Sequence, residues 1–147
     1  MRRQAAASPL HLHGTFRRTH RERHLMTTLT TAGISIHVVD VSRGVVAHGM
    51  QIEVFTSAPA RTLLCAGPVN AKGVLDDAVL LSAAMRPGYY EVLFHAAAYY
   101  RAAGVALPAL PFLDVVSYRF AISDARQHYH LPMKLTPWGF SCFRGGA

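Results

Sequence analysis

Three histidines sit in sequence patterns that give their side chains a direction. His37 follows Ile34 and Ile36 and precedes Val38, an alternation that places it on the face of a β-strand opposite Ile36. His128 and His130 are separated by one residue in His128-Tyr129-His130-Leu131-Pro132, which puts both on one strand face. Imidazole titrates near about 6.5, so at neutral pH it can take a proton from water and return it to a departing nitrogen. A lone strand histidine is ordinarily a half-exposed surface residue. The surrounding pattern separates these three from His48 and His95, which fall in no motif.

The elements that must position them are strands and turns with one break. A first strand carries Ile34 to Val39 and ends at the turn Ser42-Arg43-Gly44. Gln51–Thr56 alternates again, and Ala60–Cys65 reads as a further strand after Pro59. Asn70-Ala71-Lys72-Gly73 is a turn, since Asn and Gly tolerate left-handed dihedrals, and Leu75–Leu81 is expected as a short edge strand. Pro87-Gly88 opens a β-rich run to His95. Ala96–Ala103 is Ala-rich, free of β-branched residues and bounded by Gly104 and the Pro108–Pro111 stretch, so one short helix is expected. Val115–Ile122 and two strands around Pro137-Trp138-Gly139 complete the pattern. About seven or eight short strands with regular turn signals predict an antiparallel β-sandwich with one short helix, an all-β fold.

At 147 residues, with 51% hydrophobic and 16% charged side chains, the chain is long enough for one domain with its own core. Such apolarity predicts self-association. The net charge of +7 is uneven: residues 1–25 hold six Arg and one Glu, whereas residues 26–147 hold nine Lys/Arg against seven Asp/Glu. Basicity therefore belongs to the leader, which lacks both a periodic apolar face and the apolar run of a secretory signal. Residues 1–25 are expected to be a disordered extension or to precede the true start at Met26, with a functional basic arm as the alternative, and residues 26–147 to form the domain. Nucleic-acid binding is not expected, because Phe112, Tyr118 and Phe120 fit strand patterns of core packing. No apolar run approaches the roughly 20 residues of a membrane span. Cys65 and Cys142 have no metal or redox spacing and are expected to be free thiols in a reducing compartment.

Two blocks and the strand between them carry a resemblance. The C-terminal run from His128 to Ala147, with His128-Tyr129-His130, Pro132, Pro137 and Arg144-Gly145, is similar to the terminal signature of the transthyretin-like 5-hydroxyisourate hydrolases. Gly33 to Gly44, with Ser35, His37-Val38 and Asp40, resembles that family's N-terminal L-S-T-H-V-L-D block, and Gly88–Phe94 resembles its G-x-Y-E strand. The resemblance covers about Thr28 to Gly146. It implies a transthyretin-like sandwich assembled as a homotetramer, cytoplasmic and without cofactor or metal. It also implies hydrolysis of a lactam bond of 5-hydroxyisourate to 2-oxo-4-hydroxy-4-carboxy-5-ureidoimidazoline in urate degradation. By motif position His37 and His130 would be catalytic; His37, Val74, Phe143 and Arg144 would contact substrate, and His128 would make a structural hydrogen bond.

Three positions depart from the family pattern in one direction. Val74 stands where T-N-x-x-G-R has Arg, and Phe143 and Gly146 stand where Y-R-G-S has Tyr and Ser. Each change removes a donor that would contact an anionic, oxygen-rich substrate. A charge-assisted hydrogen bond contributes about 1.5–3 kcal/mol, so loss of the guanidinium alone would cost roughly 10- to 100-fold in rate. Lys72, across Gly73, is a candidate replacement cation, though an ammonium does not copy a planar fork. Two classes therefore stand: a hydrolase with reduced activity, and a divergent, non-catalytic small-molecule binding protein.

Overall fold

The computed structural model describes residues 32–77, 80 and 85–146. The expected extension over residues 1–25 and the start at Met26 lie outside the described residues. The chain forms β1 (Gly33–Asp40), β2 (Val45–Val46), β3 (Gln51–Thr56), β4 (Thr62–Pro68), β5 (Gly88–Phe94), α1 (Ala96–Ala102), β6 (Val116–Ile122), β7 (His128–Thr136) and β8 (Gly139–Cys142). Two four-stranded sheets result, in the orders β2-β1-β7-β8 and β4-β3-β5-β6. This is the expected sandwich with its single short helix. One pair departs from the antiparallel rule: β1 and β7 run parallel, which the long path between them through the other sheet permits.

The alternation that defined β1 fills the space between the sheets. Ile34, Ile36 and Val38 from β1 and Leu131, Met133 and Leu135 from β7 are buried, facing Ile52, Val54, Val92 and Phe94 of the second sheet. Residues between them point outward on the opposite face, so apolar burial on one side aims the polar side chains on the other.

Asp40, the last residue of β1, is fully buried and ties this sheet to the helix. Its carboxylate accepts hydrogen bonds from the Tyr99 and Tyr100 hydroxyls, both at 3.1 Å, and from the backbone amides of Ser42 and Arg43 at 3.1 and 3.3 Å. A buried carboxylate is tolerable only when so supplied with donors. Burial, followed by the Asp40 charge, pushes the Tyr99 phenol above its ordinary range, so it stays a donor. The network fixes the β1–β2 turn against α1 and thereby the strand that bears His37.

Three details differ from the sequence reading. Of the edge strand expected over Leu75–Leu81, the described residues 75–77 and 80 form no strand, and the pairing here is a single bridge between Val74 and His37 just before it. The bridge is flanked by Val38 N–H to Gly73 C=O at 2.8 Å and Leu75 N–H to Ile36 C=O at 3.2 Å. Asp76 and Asp77 leave the ladder, and Ala78, Val79 and Leu81 lie outside the described residues. The two-residue β2, too short for a periodic signal, pairs with Val39 and Asp40. Phe112 lies in the loop after α1 and is exposed, whereas Tyr118 and Phe120 pack against the core as expected. Cys65 and Cys142 are free, and burial pushes each thiol up to about 11.

Candidate active site

Parallel pairing of β1 with β7 aligns Gly33 with His128, Ser35 with His130 and His37 with Pro132. With the apolar residues of both strands turned inward, Ser35, His37, His128 and His130 share the outer face of the sheet. Two motifs far apart in sequence thus meet on one surface. Ser35 Oγ lies 2.7 Å from His128 Nε2 and 2.8 Å from His130 Nδ1, so His128 makes the hydrogen bond expected of it. Burial, and then the neighbouring His37 and His128, hold His130 below the ordinary histidine range. His130 is therefore a neutral imidazole at physiological pH, the form that accepts a proton.

The turn after β4 packs directly on His37. Asn70 Oδ1 accepts the backbone amides of Lys72 and Val74 at 2.9 and 3.1 Å, which shapes the turn. Gly73 occupies the left-handed region at φ 84°, and a Cβ there would fall 2.7 Å from His37 Nε2 and 2.8 Å from Val46 Cγ1. Only glycine meets both demands. Val74 is consequently bridged to His37, with an isopropyl group where the family motif has a guanidinium. Lys72 is exposed and lines an open cleft of about 450 Å³ with Asn70, Ala71, Val74 and Asp76.

The C-terminal tail closes the other side. Gly145 N–H donates to the His130 carbonyl at 2.8 Å, and a Cβ on Gly145 would lie 2.7 Å from His130 Cδ2. Arg144 turns elsewhere: its guanidinium stacks 4.2 Å from the Tyr129 ring and donates to Gln127 Oε1 at 2.7 Å. Tyr129 belongs to the inward set of β7, so in a single chain Arg144 is engaged away from the histidine face. Phe143 is exposed beside it. The structure thus brings His37, His130, His128 and Val74 together and leaves Arg144 and Phe143 at the margin.

Two residues on this face escaped the sequence reading. Ser35 shares parity with His37, and Lys134 shares parity with His130; Lys134 is exposed and pairs across the strands with Val39 and Ser141. Counting by two from each histidine would have found both. A separate cleft of about 540 Å³ between β2 and α1, lined by Arg43, Val46, His48, Gln51 and Tyr99 among others, contains none of the motif histidines. Among the described residues no three His, Cys, Asp or Glu side chains are grouped to hold a metal ion.

A two-sheet sandwich whose outer strand face carries hydrogen-bonded histidines is a transthyretin-like architecture equipped for proton transfer. The chain belongs to the HIUase/Transthyretin family, whose sequence profile matches residues 34–145. It is 41% identical over 113 residues to 5-hydroxyisourate hydrolase 2 of Rhizobium meliloti, a match covering 76% of this chain and 94% of that protein. The 5-hydroxyisourate hydrolase of Pseudomonas aeruginosa is 39% identical over 113 residues, covering 76% and 90%. Among solved structures, that of Klebsiella pneumoniae 5-hydroxyisourate hydrolase is similar with a TM-score of 0.64 at 26% identity, over 78% of this chain and 99% of that one. An (S)-allantoin synthase structure gives a TM-score of 0.73 at 30% identity; the match takes in 80% of this chain but 46% of that chain.

Proposed function

We propose that this protein is a 5-hydroxyisourate hydrolase, opening the lactam ring to give 2-oxo-4-hydroxy-4-carboxy-5-ureidoimidazoline in urate degradation. The observation that carries the reading is the meeting of His37 and His130 on one sheet face, with His130 held neutral. In this mechanism His130 takes a proton from water as the water oxygen bonds to the lactam carbonyl carbon. The carbon–nitrogen bond then breaks, and the same proton passes to the departing nitrogen. His37 faces the ring from β1 and orients it.

The face is open in one chain, and a reaction of this kind gains from exclusion of water. We assign that enclosure to a homotetramer. Among the described residues the outer strands β6 and β8 each have an unpaired edge, and Trp138 and Phe140 on or beside β8 are 63% and 45% exposed, which suits pairing with further copies. Cytoplasmic residence fits two reduced thiols. For the missing guanidinium, Lys134 is a better-placed substitute than Lys72, because it stands on the histidine face itself, next to Val39, whereas Lys72 lies on the turn. A single ammonium does not reproduce a planar two-point contact, so a rate below that of Arg-bearing relatives is expected.

Stopped-flow ultraviolet absorbance of fresh 5-hydroxyisourate tests the reading. The chain accelerates ring opening over spontaneous decay. His37→Ala and His130→Ala each remove the acceleration, whereas His48→Ala and His95→Ala retain it. If neither the wild type nor the Val74→Arg, Gly146→Ser double variant accelerates the reaction, the protein is a non-catalytic small-molecule binder.

A further inference from the structure

We propose that Ser35 is a positioning residue that decides which ring nitrogen of His130 carries the proton, with His128 as the far end of the same hydrogen-bonded line. A serine hydroxyl has one proton to donate and lone pairs with which to accept. Ser35 Oγ contacts His128 Nε2 at 2.7 Å and His130 Nδ1 at 2.8 Å, so only one of these bonds can be donated by serine. Three arrangements follow. In the first, Ser35 donates to His128 Nε2 and accepts Nδ1–H of His130, which leaves His130 Nε2 with a free lone pair. In the second, His128 Nε2–H donates to Ser35, and Ser35 donates to His130 Nδ1. Neutral His130 then bears its proton on Nε2 and has no basic nitrogen left for water. In the third, both rings donate to Ser35 Oγ, through His128 Nε2–H and His130 Nδ1–H, which also leaves His130 Nε2 basic.

Only the arrangement in which Ser35 donates to His130 removes the general base; wherever His130 Nδ1–H donates to Ser35, Nε2 is the basic nitrogen. His130 Nδ1 is taken by Ser35, and its Cδ2 edge lies against Gly145 of the tail. The β1–β7 register pairs Ser35 directly with His130 and offsets His128 by one outward step on the same strand, so the hydroxyl sits between the two rings. This is the logic by which a partner on one imidazole nitrogen sets the chemistry of the other. His128, to which the proposed reaction assigns no step, acquires a role: as acceptor of the serine proton it keeps that proton away from His130.

The catalytic consequence rests on the hydrolase reading above, but the tautomer does not, and the two are measured separately. Nitrogen-15 NMR of histidine-labelled protein above pH 7 reads the tautomer directly. The wild type has the His130 proton on Nδ1. Ser35→Ala moves the population toward Nε2–H, Ser35→Thr keeps it on Nδ1, and His128→Phe, which frees the serine proton, shifts it toward Nε2–H while His128→Gln does so less. Stopped-flow assays on the same variants show kcat reduced by about 10-fold or more in Ser35→Ala at little-changed KM, with recovery in Ser35→Thr. A wild-type His130 protonated on Nε2, or a tautomer indifferent to Ser35→Ala, overturns the proposal. Should the lock appear by NMR in a protein with no turnover, the tautomer assignment stands and the hydrolase reading falls. Far-ultraviolet circular dichroism and melting of each variant separate loss of the lock from loss of the fold, and Ser35→Thr supplies a folded reference that retains the hydroxyl.

Discussion

Replacing Gly73 by alanine tests whether the turn after β4 is what holds His37 in place. The backbone at Gly73 has φ 84°, a region that costs an L-residue roughly 1–2 kcal/mol. The added Cβ would sit 2.7 Å from His37 Nε2, 2.8 Å from His37 Cδ2 and 2.8 Å from Val46 Cγ1. Carbon contacts are optimal at about 3.5–4.0 Å, so the ring or the turn must retreat by close to 1 Å, and overpacking of this kind costs about 1–3 kcal/mol. The sum is about 2–5 kcal/mol in stability. A 1 Å displacement of a reacting group costs on the order of 10²-fold in rate. Gly44→Ala is the matched control: its φ is 68°, but a Cβ there meets nothing within 4 Å. That variant should lose only the roughly 1–2 kcal/mol of the dihedral and keep its turnover. Thermal melting combined with stopped-flow absorbance, at a temperature where both variants are folded, distinguishes them. If Gly73→Ala melts with Gly44→Ala and turns over at the same rate, the turn does not position His37 and the reasoning fails.

Val74→Arg is expected to raise kcat/KM by roughly 10-fold or more, the return of one charged hydrogen bond, and Gly146→Ser to add a smaller gain; stopped-flow rates across the single and double variants measure both. Because His130 must be neutral to act and its folded pKa lies below the ordinary 6.5, the acid limb of the kcat/KM profile should fall below that value. The same depression means that this residue's contribution to stability is present above the unfolded histidine's pKa and is lost as pH falls through the folded one, which pH-dependent melting would detect. Asp40→Ala removes the shared acceptor of two tyrosine hydroxyls and should destabilise the fold by about 3 kcal/mol or more in denaturant titration. Light scattering should give a homotetramer, and a clean monomer at micromolar concentration would remove the basis for an enclosed site.

Where side-chain alternation was strong, the sequence was enough. Ile34, Ile36 and Val38 identified the buried face of β1 and therefore the outward direction of His37, and the same parity placed His128 and His130. Proline and glycine punctuation located the helix, because Ala96 to Ala102 could bury Ala96, Ala97, Tyr99 and Tyr100 while Gly104 ended it. Two residues of β2 carry no period, so their pairing with Val39 and Asp40 depends on a tertiary neighbour that sequence does not display. The bridge at Val74 was hidden for the same reason: its partner is His37, in another element. Ser35 was visible by parity but silent in meaning, since a strand serine is commonplace until two imidazoles converge on it. Arg144 shows the converse, a residue whose motif position is plain but whose guanidinium follows the nearest aromatic ring and amide.

The parallel pairing of β1 with β7 sets a timetable for biosynthesis. Gly33 is matched with His128, so the first described strand of the chain must wait for nearly the last before its inner edge is covered. At about 5–20 residues per second, the intervening stretch takes on the order of 5–20 s to be made, an interval long beside the microsecond formation of a hairpin. The sheet of β3, β4, β5 and β6 can assemble from neighbouring strands during that time, while β1 holds an unmatched row of amides and carbonyls and an apolar face built from Ile34, Ile36 and Val38. Nascent chains of this protein should therefore be most prone to association just before the C-terminal block emerges, and stalling of translation upstream of His128 should leave an aggregation-prone product in which the histidines never meet.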